Sequence, residues 1–232
     1  MRVLIIGGSG TVGKIITPYL KQYHELKIFD LQPPSDSSLD YYQGNITKFD
    51  DLESAMQGME GVVYMAMGAL EWDTLRGIET AFDINIKGLH LALKAAYEAG
   101  VTQAVYTSSM SVYDDLNGRI FPDETVPPDS SSNIYGFTKR LGEEVCLNAV
   151  RNWGLHVNAL RLCFPTPDEE LAQVEPDKKL IATAASDVAS AISKALAFQG
   201  RFQAFMISGD YENKMMNMSK AKILLGWEPK TP

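Results

Sequence analysis

Val3-Leu4-Ile5-Ile6-Gly7-Gly8-Ser9-Gly10-Thr11-Val12-Gly13-Lys14 is the stretch on which the fold turns. Four consecutive aliphatic residues read as a strand buried on both faces, as in a parallel sheet. Gly7, Gly10 and Gly13 then interrupt the run just before a helical pattern over 11–22. In such a strand–turn–helix unit the first glycine permits a tight turn, and the second lets backbone N–H groups approach a pyrophosphate. The third lets the helix pack closely on the sheet, its positive N-terminus facing the phosphates. Thr11 and Val12 open that helix and belong to the same expected contact. A glycine triplet alone is weak evidence, since a flexible loop has the same composition. Context strengthens it: Asp30 closes the next strand, where a carboxylate can accept bonds from ribose hydroxyls and repel the extra phosphate of NADP. Leu31 and Gln32 follow it in place of Arg or Lys, so the expected cofactor is NAD.

Outward from that turn, apolar runs alternate with helical patterns. Strands are predicted to end at Phe29-Asp30, to lie near 41–43, to cover Val62-Val63-Tyr64-Met65-Ala66, and to close at Val105-Tyr106-Thr107. His156–Leu162 and Ala204–Ile207 complete the set. Helices are predicted over 48–57, 78–99, Tyr135–Trp153, Ser186–Ala197 and Met218–Leu225. Alternating strands and helices imply parallel pairing through right-handed crossovers. The expected class is therefore α/β, a Rossmann-type doubly wound parallel sheet with a small C-terminal substrate-binding elaboration. At 232 residues one NAD-binding domain over 1–232 is expected. Two stretches break the alternation, 114–133 and 165–180, both rich in proline and acid. They leave the carboxyl edge of the sheet, where ligands bind in such folds, and are expected to be substrate loops.

A net charge of −8 argues against nucleic-acid partners and against an anionic membrane surface. Met1-Arg2 runs straight into Val3–Ile6, too short a run for a signal or a membrane span. Cys146 and Cys163 form no CxxC and read as buried thiols, which fits a cytoplasmic protein. His24, His90 and His156 lack metal-ligand spacing, so no metal site is expected.

Tyr135-Gly-Phe-Thr-Lys139 places a phenol and an ammonium four residues apart on one helical face. Behind a glycine-rich turn, that pair suggests a proton-transferring tyrosine beside a dinucleotide. Together with Gly44-Asn45-Ile46-Thr47, Asn85-Ile-Lys-Gly88, Thr107-Ser108-Ser109-Met-Ser-Val-Tyr113, Leu160-Arg161-Leu162 and Leu225-Gly226-Trp227-Glu228-Pro229, the chain resembles the extended short-chain dehydrogenase/reductase superfamily. Within it, the NAD-dependent epimerase/dehydratase family is the match, over nearly the whole chain.

The resemblance implies Ser109 as the catalytic hydroxyl, Tyr135 as the general base and Lys139 as its supporting ammonium and a ribose ligand. Free tyrosine has a pKa of about 10, too high for an efficient base near neutrality. The ammonium and a positive nicotinamide are expected to lower it. Adenine-side contacts are implied at Asn45 and Ile46, Asn standing where the family usually has Asp. Ala66, Met67, Thr107 and Cys163 are implied along the cofactor. Met110 and Phe164 are expected at a small-molecule substrate, beside Ser109 and Tyr135.

Three chemistries of the family can be compared. A sugar dehydratase of this branch carries an acidic pair after the catalytic hydroxyl; Met110-Ser111 stands there, so that chemistry is rejected. A nucleotide-sugar epimerase retaining NAD needs a lobe that the short stretch after Lys139 hardly supplies. A uronate dehydrogenase has Asn after the serine and a carboxylate-clamping Arg in the following loop. Here there is Met110, and no Arg between Arg161 and Arg201. The expected reaction is oxidation of a secondary hydroxyl on a small sugar or sugar-acid-like substrate, with the epimerase and a non-catalytic dinucleotide-binding regulatory module as alternatives. Helices 78–99 and 135–153 match the pair that forms dimers in the superfamily, with Leu89, Leu93, Val145 and Leu147 on the expected exposed faces.

Overall fold

The structure is a computed structural model that describes residues 1–68, 71–116, 119–121, 123–175, 178 and 181–230. Parts of the two irregular stretches, 117–118, 122, 176–177 and 179–180, lie outside the described residues.

The strands are β1 (Arg2–Ile6), β2 (Glu25–Asp30), β3 (Asp40–Gln43), β4 (Gly61–Tyr64), β5 (Gln103–Ser109), β6 (His156–Leu162), β7 (Pro165–Thr166), β8 (Thr183–Ala184) and β9 (Phe202–Ile207). The helices are α1 (Thr11–Leu20), α2 (Phe49–Met56), α3 (Leu75–Phe82), α4 (Leu89–Glu98), α5 (Ile134–Trp153) and α6 (Ala185–Ala197). Seven strands form one parallel sheet in the order β3-β2-β1-β4-β5-β6-β9. The strand order reverses between β1 and β4, and a crevice opens there beyond the carboxyl ends.

Both faces of the sheet are covered, so every second residue serves a different core. Val3, Ile5, Val63, Val105 and Leu160 pack on one side with α1 and α6 residues such as Ile16 and Ile192. Leu4, Ile6, Val62, Tyr64 and Ala104 pack on the other, with α2, α4 and α5 residues such as Leu52, Leu93 and Cys146. This two-sided burial is why the strands read as unbroken apolar runs.

Several boundaries differ from the sequence expectation. β5 runs on to Ser109, because its ladder with β6 continues through Ser108–Arg161 and Ser109–Leu162. β4 stops at Tyr64, leaving Met65 and Ala66 beyond its end. The single helix expected over 78–99 is α3 and α4 joined by a π-helical segment, Asp83–Gly88. Inside it the Ile84 carbonyl accepts the Tyr64 hydroxyl, and Asn85 turns inward to accept Gly68 N–H at 3.0 Å and donate to Thr138 Oγ1 at 2.9 Å. Side-chain insertion of this kind is a common cause of a widened turn. Leu89 and Leu93, expected on an exposed face, are buried in the core beneath this segment. A two-stranded pair, β7 with β8, was not foreseen, and the closing helix includes a π-helical turn, Ala221–Leu225.

After that turn Trp227 inserts its ring, 1% exposed, and its indole N–H donates to the Asp187 carbonyl of α6 at 3.0 Å. Trp227→Ala is expected to cost about 3–5 kcal/mol, the usual cost of a buried aromatic truncation, read as a lowered urea midpoint.

Candidate active site

The crevice at the strand reversal is a cavity of about 690 Å³. One end is the glycine turn. Gly10 caps α1 without a side-chain partner, so first-turn N–H groups face the cavity. A β-carbon at Gly10 would approach only the Gly7 carbonyl, at 3.2 Å, whereas one at Gly13 would lie 2.2 Å from the Gly8 carbonyl. Gly10 thus leaves an open cradle for an anion, and Gly13 permits the helix to sit against the turn. Asp30 lies beside it; its carboxylate accepts Ser9 N–H at 3.0 Å and Gln32 N–H at 3.3 Å. A carboxylate has about four acceptor positions, so capacity for two hydroxyls is left. These are the features a dinucleotide requires, and the residues fit it.

Of the residues expected at the cofactor, Gly7, Gly10, Thr11, Val12, Gly13, Asp30, Asn45, Ile46, Ala66, Met67, Thr107 and Lys139 line this one cavity. Asn45 does so differently from expectation. Its Oδ1 already accepts Thr47 N–H at 2.9 Å and Thr47 Oγ1 at 2.8 Å, closing a local turn. Its acceptor oxygen is therefore engaged within the protein. Thr107 is likewise committed: its hydroxyl donates to the Tyr64 carbonyl at 3.1 Å.

Two expected residues do not reach the cavity wall. Met110 is 1% exposed, because a 3₁₀ turn over Met110–Val112 points it into the core and presents Ser111 instead. Cys163 is 3% exposed, its N–H donating to the Ile207 carbonyl and its carbonyl accepting Thr183 Oγ1. Strand pairing with β9 and the β8 contact turn it inward, and burial pushes its thiol up to about 12. Phe164, the next residue, has φ +42° and lines the cavity with its ring half exposed. Pro165 also lines it, whereas no described residue of 114–133 does. Instead Phe121 bridges to Met216, and Glu124 accepts Met206 N–H on the β9 edge at 2.9 Å.

Ser109, Tyr135 and Lys139 converge at the end of the cavity away from the glycine turn. Asn133 caps α5 by accepting Gly136 N–H at 2.7 Å, which fixes the first turn that carries Tyr135. Ser109 and Tyr135 line the same cavity, and Trp72 packs on the Tyr135 ring at 5.4 Å between centroids. Lys139 donates from Nζ to the Thr107 carbonyl at 2.7 Å and stands 5.1 Å from the Tyr106 ring centroid and 5.8 Å from that of Tyr135. The electrostatics depart from expectation. Burial holds the Tyr135 phenol above its ordinary value, and the nearby Ser109 hydroxyl only partly opposes it. Burial also draws Lys139 down to about 8. The chain by itself therefore does not lower the tyrosine, because the ammonium that was to do so is itself desolvated.

Sequence reasoning missed Ser111, Ile84 and the Leu31–Pro33 stretch, all on the cavity wall. Leu31–Pro33 was within reach, since it directly follows Asp30. Among the described residues no group of three or more His, Cys, Asp or Glu side chains is placed to hold a metal, and no helix is long and apolar enough to cross a membrane.

Residues 3–197 match the profile of the NAD dependent epimerase/dehydratase family. The chain belongs to that family. It is 32% identical over 175 residues to a 3-beta-hydroxysteroid dehydrogenase of Mycolicibacterium neoaurum, covering 69% of this chain and 46% of that protein. It is 25% identical over 173 residues to the uronate dehydrogenase of Pseudomonas syringae pv. tomato, covering 72% and 61%. In structure it resembles a mutated uronate dehydrogenase with a TM-score of 0.83 at 19% identity, over 99% of this chain and 81% of that one. This likeness shows the doubly wound fold. The matches span less than half the length of the curated relatives most similar to it.

The buried lysine makes a prediction about the cofactor-free protein. Between pH 8 and 10.5 the unfolded chain holds a proton on Lys139 that the folded chain has released. Stability from this group is lowest below pH 8 and rises through that window, by roughly 3 kcal/mol at 1.36 kcal/mol per unit. Lys139→Met is expected to be more stable than wild type at pH 7 and to lose that part of the rise, in urea titrations at pH 7.5 and 10.

Proposed function

We propose that the chain is a single-domain NAD-dependent oxidoreductase that oxidises a secondary hydroxyl of a small sugar or sugar-acid-like substrate. The observation that carries this reading is that Ser109, Tyr135 and Lys139 line the same cavity as the Gly10–Gly13 turn and Asp30. NAD, when bound, supplies the hydride acceptor. It would be held by the N–H groups of the glycine turn, by Asp30 at the adenosine ribose, and by Lys139 at the second ribose.

Tyr135 accepts the proton of the substrate hydroxyl, and Ser109 donates to the oxygen as it becomes a carbonyl. Lys139, anchored on the Thr107 carbonyl, keeps a positive charge behind the phenol at neutral pH. A bound oxidised nicotinamide would add a second positive charge near Tyr135. The regulatory-module alternative loses ground because Met110 is turned into the core and Phe164 stands at the rim. Relatives named as dehydrogenases support oxidation over water elimination.

Among the described residues lining the cavity, the cations are Lys14, on the first turn of α1, and the buried Lys139. The buried free thiols of Cys146 and Cys163 support a cytoplasmic setting. A homodimer through α4 and α5 would use the outer aromatics Tyr97 and Trp153, stacked at 6.0 Å, in place of Leu89 and Leu93.

Purified protein, NAD and a panel of neutral sugars and sugar acids are expected to form NADH stoichiometrically, read at 340 nm. Tyr135→Phe should lower that rate about 10²–10⁴-fold, the range of general acid–base catalysis, with NAD affinity retained. A retained cofactor with isomerised sugar and no net NADH would favour the epimerase. Wild-type rates in Tyr135→Phe would refute the tyrosine base.

A further inference from the structure

Behind the site lies a buried polar network that the proposed chemistry does not use. Ser108 Oγ donates to Glu143 Oε1 at 2.7 Å. Arg161 donates to both oxygens of the same carboxylate, from Nε to Oε1 at 2.9 Å and from Nη2 to Oε2 at 2.8 Å. Its Nη1 donates to the Tyr113 hydroxyl, which in turn donates to the Val126 carbonyl at 3.0 Å. Ser108, Glu143, Arg161 and Tyr113 are each no more than 6% exposed.

Burying two charges costs several kcal/mol per ion, and an apolar replacement of similar volume is often as stable or more so. Stability therefore does not account for the pair. Its placement does. Glu143 is one helical turn beyond Lys139 and two beyond Tyr135 on α5, and Ser108 directly precedes Ser109 on β5. Arg161 faces Ser108 in the β5–β6 ladder, so the bidentate pair spans helix and sheet with a fixed direction. Apolar packing between α5 and β5 has no such directionality. A bidentate carboxylate–guanidinium contact, further tied to Ser108, resists both sliding and rotation of the helix.

We propose that Glu143 and Arg161 are the positioning pair of this site: their ion pair locks α5 on β5 and so sets the approach of the Tyr135 and Ser109 hydroxyls. The proposal rests on the Tyr135-base reading for its catalytic consequence, while its geometric content can be tested without turnover.

The test replaces the network by apolar residues in the triple variant Ser108→Ala/Glu143→Leu/Arg161→Met, in which the Tyr113 hydroxyl keeps its bond to the Val126 carbonyl. Melting temperature is expected at or above wild type, and NAD affinity unchanged. Tyr135 is then followed by NMR with tyrosine labelled at Cζ, its signal assigned by its absence in Tyr135→Phe. With the Ser109 hydroxyl moved away from the phenol, Tyr135 should ionise about half a pH unit or more higher than in wild type. Where a substrate is in hand, kcat should fall about 100-fold with KM little changed, the cost of a misplacement near 1 Å. A folded triple variant whose Tyr135 titrates as in wild type overturns the proposal, whatever its turnover. A shifted Tyr135 titration alongside a fully active Tyr135→Phe would instead uphold the positioning and remove the tyrosine base. Should the triple variant fail to fold, Glu143→Gln/Arg161→Gln, which keeps polar partners but no charge, is measured in the same way with the same two outcomes.

Discussion

β1 is hydrogen-bonded along both edges, to β2 on one side and β4 on the other, and everything at the site follows from that position. Parallel strands on both sides require crossovers that leave in opposite directions, so the chain ends of β1 and β4 cannot both be covered. The gap is filled by the glycine turn and the first turn of α1. Because β1 is buried on both faces, its register is strongly specified, and with it the place where Gly7 leaves the sheet. The glycine turn is thus held by a strand whose last four residues are fully buried.

The second half of the site depends on how α5 lies against β5. Tyr135 and Lys139 come from the helix; Ser109 and the Thr107 carbonyl come from the strand. Lys139 ties one to the other near the reacting end, and the Glu143–Arg161 pair ties them again one turn deeper. A doubly fastened helix leaves little slack against the strand. The cost is electrostatic, seen in an ammonium drawn down to about 8 and a phenol held above its usual value. Those perturbations mark a group prepared for a charge that the protein does not itself provide.

Much of this was legible in the residues. The strand–helix alternation followed from runs of apolar residues whose two faces are both buried. Tyr135 and Lys139 were found by their helical spacing and Ser109 through the family resemblance, and the three line one cavity. Met110 and Cys163 were misplaced because each follows a strand end, where the period of two no longer says which way a side chain points. A 3₁₀ turn decided the first and pairing with β9 the second. The local turn at Asn45 was not legible, because the sequence does not say that Thr47 claims its oxygen.

The sequence by itself determined the parallel α/β architecture, the glycine turn with its acid, and the Tyr135–Lys139 pair, since each depends on local periodicity, glycine sterics or helical spacing. Tertiary structure alone decided the rest. The break of the 78–99 helix arises from Tyr64 and Asn85 reaching across to other elements. The burial of Leu89 and Leu93, the raised tyrosine and the Glu143–Arg161 lock likewise depend on residues far apart in the chain meeting away from water. Desolvation and long-range hydrogen bonds are properties of the assembled core, and no local pattern encodes them.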